Sequence, residues 1–277
     1  MLPWGLELLR SIMPLTRLVS DPPRRMKTSM DAATLVGETI AHYPPSVRGY
    51  YEGDRDRLAH DVDLINGIAT GTLVDLGAGF SPFGLAMQRA GWRAHIVDQF
   101  DYAVDAAHQV PDKMILALFA EAGAAVHRCD IQGAPLPFAT GSADVATCFA
   151  VLEHFHRSPR AFLAEVHRVV RPGGWFVASC PNSVNLRKRL SVVAGRTNLP
   201  AVQAFWHDGD PTWHGHVREP TLSELAWMAT EAGFRVEATF GRNFLARQNF
   251  GAAGRLLDPL LRFAPGLCSD IYVVARR

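Results

Sequence analysis

The chain's 277 residues are 48% hydrophobic, enough for one large core, or one core with a small accessory element. A formal net charge of +1 at pH 7 supplies no basic field for neutralising many phosphates, which disfavours general nucleic-acid binding and favours a small-molecule partner. Cys129, Cys148, Cys180 and Cys268 are widely spaced with no CxxC pair, so they read as reduced, packed thiols rather than a disulfide or metal set.

Residues 1–27 are apolar but carry Glu7, Arg10 and Arg17 and are broken by Pro14. They suit neither a spanning helix nor a signal peptide, and the expected compartment is the cytoplasm. Leu2, Leu6, Leu9 and Met13 share a helical face, expected to pack on or cover the domain, with residues 21–25 as linker. Contact of that face with a membrane surface is the alternative. Residues 1–54 are thus expected to form a helical N-terminal extension, and residues 55–277 one domain.

From residue 55 strand-like runs alternate with helical patterns, which predicts an α/β domain with a mainly parallel sheet. Leu58, Val62, Ile65 and Ile68 mark a helix, and strand 72–76 follows. Ser81 and Pro82 suit the cap and first turn of the next helix, and Gly91 its end. Strand 93–98, helix 111–122 and strands 124–129 and 143–149 come next, with Asp144 in the turn entering the last of these. Residues 158–174 read as a helix burying Phe162, Val166, Val169 and Val170, before strand 174–180. Residues 181–220 break the rhythm with Pro181, Pro200, Pro211 and Pro220, and read as a lid insertion over the strand ends. Thr221 and Glu224 have capping-box spacing before a helix ending at Gly233. Strands 235–240 and 270–277 close the chain, with residues 255–266 near the surface between them.

In an open α/β sheet, ligands bind beyond the carboxyl ends of the strands, near a topological switch point. Asp75, Gly77, Ala78 and Gly79 follow the first strand, Asp98 and Gln99 end the second, Asp130 and Ile131 follow the third, and Glu153 and His154 follow the fourth. Glycines admit a bulky ligand close to the backbone, an acid ending the second strand can accept both ribose hydroxyls, and one after the third can accept from an adenine amino group. The layout fits an adenosine ligand. Dinucleotide sites prefer G-x-G-x-x-G, where a helix N-terminus faces pyrophosphate. Here Pro82 stands three after Gly79 and Gly84 comes two residues later, so a ligand without phosphates fits better.

The segments LVDLGAGFSPFG, HIVD, CDIQGAPLPFATGSADVATCFAVLEHF and AEVHRVVRPGGWFVASCPN resemble the class I S-adenosylmethionine-dependent methyltransferases, in their small-molecule branch. The likeness is strongest over residues 55–180 and departs at Ser81, where many relatives have a third glycine. It implies a Rossmann-like seven-stranded sheet with the last strand antiparallel and helices on both faces, S-adenosyl-L-methionine as cofactor, and cofactor-binding roles for Asp75, Gly77, Gly79, Asp98 and Asp130. Ala78, Gln99 and Ile131 flank these positions, and Phe149 and Ala150 are expected to line the methionine end. Asp75 is expected to orient the glycine loop through backbone amides.

Methyl transfer needs donor and acceptor aligned and, for a hydroxyl acceptor, a base. His154, just past the fourth strand, and His216, in a segment that closes on the pocket in many relatives, are the candidate catalytic residues; a structural or pocket-lining role is the alternative for each. Glu153 is expected to hydrogen-bond backbone or pocket groups. His207, Asp208, Asp210, His214 and His216 could together hold a divalent metal that orients a diol, but they lack compact ligand spacing, and no metal is assigned. Trp206 and Trp213 stack on an acceptor or anchor the lid. Arg187, Lys188 and Arg189 read as a solvated basic helix, with attraction of an anionic acceptor as the alternative. The expectation is methyl transfer to oxygen of a small molecule such as a sugar, phenolic or lipid-like metabolite. Transfer to nitrogen or carbon, a nicotinamide-dependent oxidoreductase and a non-catalytic binding module stay open.

Overall fold

The structure, a computed structural model, describes residues 30–100, 112–206, 215–244 and 258–277. Helices α1 (Ala32–Ala41) and α2 (Pro45–Gly53) precede α3 (Arg55–Ile68). Strands and helices then alternate through β1 (Thr72–Leu76), α4 (Pro82–Arg89), β2 (Arg93–Asp98), α5 (Asp112–Glu121), β3 (Ala125–Arg128), β4 (Ala143–Phe149), α6 (Arg160–Val169) and β5 (Val170–Pro181). After α7 (Leu186–Val193) and α8 (Val202–Trp206) come α9 (Leu222–Glu231), β6 (Arg235–Arg242) and β7 (Asp270–Arg276).

The seven strands form one sheet in the order β3-β2-β1-β4-β5-β7-β6. Strand β7 runs antiparallel to β5 and β6, and the other pairings are parallel, as expected from the sequence. The pleat sends alternate residues to opposite faces. Leu73, Ile96, Val145, Val177 and Val274 join the apolar cluster with α1, α3, α4 and α5, whereas Val74, Val97, Ala146, Ala178 and Val273 meet α6 and α9 on the other face. Each fully buried Leu, Ile or Val among these contributes about 1.5–3 kcal/mol. Leu35, Val36 and Ile40 of α1 and Tyr43 behind it are buried in the first cluster. The chain goes from β1 out through β2 to β3 and returns to β4 on the other side of β1. That reversal is the switch point where a ligand crevice opens.

Local chemistry sets most boundaries. Ser81 caps α4 by accepting from the Phe83 amide at 3.2 Å, with Pro82 as the first helical residue. Thr221 and Glu224 form the reciprocal capping box of α9, at 3.2 and 2.8 Å. The segment expected as one helix over 158–174 divides instead: α6 stops at Val169, and Val170 opens β5 opposite Ala143. Pro172 disfavours helical backbone at Arg171, and pairing of Val170 with Ala143 sets the boundary itself. Residues 181–220 contain α7 and α8, while His207, Asp208, Asp210, Trp213 and His214 lie outside the described residues, as do residues 1–29 with the Leu2, Leu6, Leu9 and Met13 face. No helix among the described residues is long and apolar enough to cross a membrane.

Candidate functional site

The turn after β1 is shaped by glycine. Gly77 has φ +68°, and a Cβ there would stand 2.5 Å from Cγ1 of Val151, so a side chain is excluded by conformation and by space. The Gly77 and Ala78 amides donate to the Val97 carbonyl at 2.8 and 3.2 Å, which ties the turn to the end of β2. Gly79 N donates to Oδ2 of Asp98 at 2.9 Å, and Phe100 N to Oδ1 at 2.9 Å. The loop amide is therefore oriented by Asp98. The hydrogen bond described for Asp75 runs elsewhere, from the Thr147 hydroxyl on β4 at 2.8 Å, and burial pushes the Asp75 carboxyl up to about 7. Asp75 thus joins β1 to β4 beneath the loop, in contrast to the expected contact with loop amides.

At the neighbouring strand ends Gln99 Nε2 donates to Oδ1 of Asp130 at 3.5 Å, and the same oxygen accepts from Gln132 N at 2.9 Å. Ile131 is buried beside them. On the other side of β1, Phe149 ends β4 with its ring edge-on to Phe83 at 5.1 Å. Ala150 then takes φ +55°, a conformation unusual for a residue with a Cβ, while its amide donates to Ser179 O at 2.9 Å. The ten expected cofactor residues therefore lie at or just beyond the carboxyl ends of β1 to β4.

Beyond Ala150 a single 3-10 turn, Leu152–His154, carries Glu153 and His154. The Glu153 carbonyl accepts from the amides of Val217 and Arg218 at 2.7 and 3.1 Å, so residues 216–218 are pinned over the end of β4. This brings His154 and His216 edge to face, with ring centroids 4.9 Å apart. Nδ1 of His216 lies 2.8 Å from Oε1 of Glu219. An ionised carboxylate only accepts, so Nδ1 carries the proton and Nε2 the lone pair. Burial and the charges of His154 and Lys188 hold His216 down at about 4. The other oxygen of Glu219 pairs with Lys188 Nζ from α7. Lys188 is buried, and burial lowers its ammonium to about 8.

Two sequence readings change here. Lys188 belongs to a buried ion pair instead of a solvated basic face. Glu153 is fully buried, and neither carboxylate oxygen has a partner of hydrogen-bond geometry among the described residues; its own amide and the Cys180 thiol act on it more weakly than burial, which pushes it up to about 7. One ligand atom from each of Glu153, His154 and His216 lies within 4.8 Å of the other two. Glu219 was missed from sequence, although His216 and Glu219 stand at the i, i+3 spacing of a local pair. A cavity of about 380 Å³ opens beside this group, lined by Arg187, Asn198, Gly215, His216 and Glu219 among others. Trp206 is largely exposed, on α8.

Comparison with known proteins identifies the crevice's relatives. Residues 50–239 match the family described as a methyltransferase domain. Ubiquinone biosynthesis O-methyltransferases of Thiobacillus denitrificans and Cupriavidus pinatubonensis are each 33% identical, over 38% and 62% of this chain. The matches span 41% and 63% of those proteins' own lengths. Among solved structures, an S-adenosylmethionine-dependent methyltransferase from Mesorhizobium loti shares the fold with a TM-score of 0.52 at 20% identity, covering 81% of this chain and 98% of that one.

Proposed function

This chain belongs to the methyltransferase-domain family, and from that premise we propose that it transfers the methyl group of S-adenosylmethionine to an oxygen of a small-molecule acceptor. The observation that carries the reading is the Asp98 carboxylate, held by the Gly79 and Phe100 amides at the end of β2, with β1 between it and the strand beyond which His154 and His216 meet. A carboxylate ending the second strand is the acceptor that suits the two hydroxyls of a ribose. Gly77, Ala78 and Gly79 form a floor with no side chain larger than a methyl, Asp130 with Gln99 and Ile131 suits the adenine edge, and Phe149 and Ala150 suit the methionine end. Asp75 supports this floor through Thr147.

When bound, the cofactor supplies a sulfonium methyl group open to in-line attack. The chain's part is alignment, exclusion of water and help with the acceptor's proton. His154 and His216 meet the acceptor hydroxyl at the end of β4, and the cavity beside His216 is its way in. Oxygen as acceptor atom is supported by these imidazoles, by the similarity to the two ubiquinone biosynthesis O-methyltransferases, and by the lack of an Asn/Asp-Pro-Pro-Tyr motif of the kind used for planar nitrogen.

Calorimetry with S-adenosylhomocysteine and with NADH tests the cofactor. We expect saturable binding of the first alone, weakened at least about tenfold by Asp98→Ala, equivalent to about 1.4 kcal/mol. Binding of NADH alone would overturn the reading. A screen of phenolic, sugar and lipid-like alcohols for a mass gain of one methyl, with amines as the counter-set, decides the acceptor atom; transfer to amines alone refutes oxygen.

A further inference from the structure

We propose that Glu153, His154 and His216 form a binding site for a divalent cation of the manganese-to-zinc series, and that an oxygen of the acceptor completes its coordination. The second half rests on the methyl-transfer reading above, whereas the first stands on the side chains alone.

The donor atoms lie within 4.8 Å of one another. Tetrahedral ligands on a common cation at about 2.0–2.2 Å stand about 3.3–3.6 Å apart, so the groups need to draw together by at most about 1.5 Å, which rotation of the three side chains can supply. Two imidazoles and one carboxylate suit first-row transition metals and zinc better than the all-oxygen preference of calcium or magnesium. Three protein ligands leave positions open on the ion, which is the arrangement of a reactive site and not of a closed structural one.

The second observation is the state of Glu153. Its carboxylate is fully buried, and neither oxygen finds a hydrogen-bond partner among the described residues. A buried polar group in that condition costs free energy unless something satisfies it, and a cation between the imidazoles and Glu153 would do so.

The third is the support behind His216. Metal-bound histidines commonly donate their second ring nitrogen to a carboxylate, which fixes the tautomer and aims the other nitrogen at the ion. Glu219 occupies that place at 2.8 Å from Nδ1, and Lys188 in turn holds Glu219. The two chain segments that supply the ligands are joined by the Val217 and Arg218 amides on the Glu153 carbonyl, so the ligands come from one rigid frame. The separation of His216 from the Glu153 and His154 pair along the chain hides this set from any reading of motif spacing.

A hydroxyl oxygen arriving through the cavity beside His216 would enter an open position, where the cation lowers its pKa. The step balances. With both imidazoles on the cation, their part in deprotonation passes to the ion: the hydroxyl, made acidic by it, gives its proton to solvent water as it enters from the cavity, before water is excluded. Then the O–C bond forms as the C–S bond breaks, and that electron pair stays on sulfur.

The test uses the full chain, stripped with a chelator and titrated with Mn²⁺ followed by electron paramagnetic resonance and with Co²⁺ followed by visible absorption, without cofactor or acceptor. The expected result is one equivalent bound per chain, displaced by Zn²⁺, with affinity reduced at least about tenfold by the isosteric Glu153→Gln and by His216→Ala, and more mildly by Glu219→Gln. His216 is partly exposed, so His216→Ala keeps the test open where the buried substitution fails to fold. Absence of saturable binding, or equal binding by wild type and His216→Ala, overturns the inference and leaves Glu153 as a buried protonated acid. S-adenosylhomocysteine calorimetry on the same stripped protein separates the two readings: cofactor binding without ion binding removes this inference alone, and loss of cofactor binding on the metal-free chain with ion binding intact counts against the methyl-transfer reading alone.

Discussion

Gly77 and Asp98 carry different kinds of constraint at the mouth of the crevice. Replacing Gly77 by Ala forces a left-handed residue to carry a Cβ, at about 1–2 kcal/mol, and drives that atom into Val151. We expect Gly77→Ala to lower the urea midpoint and weaken S-adenosylhomocysteine binding together. Adding Val151→Ala should restore the part due to the clash and leave the part due to conformation; full recovery would show that the backbone tolerates the substitution. Asp98 was legible in sequence because an acid ending the second strand of an α/β sheet has a defined place. The partner of Asp75 was not, since the Thr147 hydroxyl comes from a strand whose pairing with β1 depends on the sheet order. Glu219 and Lys188 were hidden for a similar reason: their pairing depends on where residues 215–219 lie against α7.

Elements were legible wherever their ends carry short-range chemistry. Ser81 with Pro82 started α4 as expected, and Thr221 with Glu224 closed a capping box on α9. Thr221→Ala removes the acceptor for the Glu224 amide and is expected to cost about 1 kcal/mol, read from the urea midpoint at constant slope. A change under a few tenths would mean that the α9 contacts on β6 and β7, and not the cap, hold the helix. The boundary between α6 and β5 was misplaced because Val169 and Val170 are equally suited to either element. Pairing of Val170 with Ala143 across the sheet assigns it to the strand.

Across the whole molecule, α3 near the start of the described chain and β7 at its end are joined through the core. Tyr272 of β7 donates to Oδ1 of Asp61 on α3 at 2.9 Å, and burial pushes the Asp61 carboxyl up to about 7. The group is protonated in both states below about pH 4. As pH rises toward 7 the unfolded chain releases this proton while the folded chain keeps it, so stability falls over that window, and the loss from this group levels off above it. Asp61→Asn keeps an acceptor for Tyr272 and removes the titration. Its unfolding free energy should fall less steeply than that of wild type between pH 4 and 7, by up to about 1.4 kcal/mol per pH unit; parallel curves would refute the buried titration. Periodicity, caps and glycines, all interactions between near neighbours in the chain, were enough to mark the alternation of strands and helices and the residues that stand at the ends of β1 to β4. The meeting of His154 with His216, the orphaned Glu153 between them and the Lys188 to Glu219 pair behind them were decided only by tertiary structure, because each joins segments whose proximity follows from how α7 and residues 215–219 pack over β4.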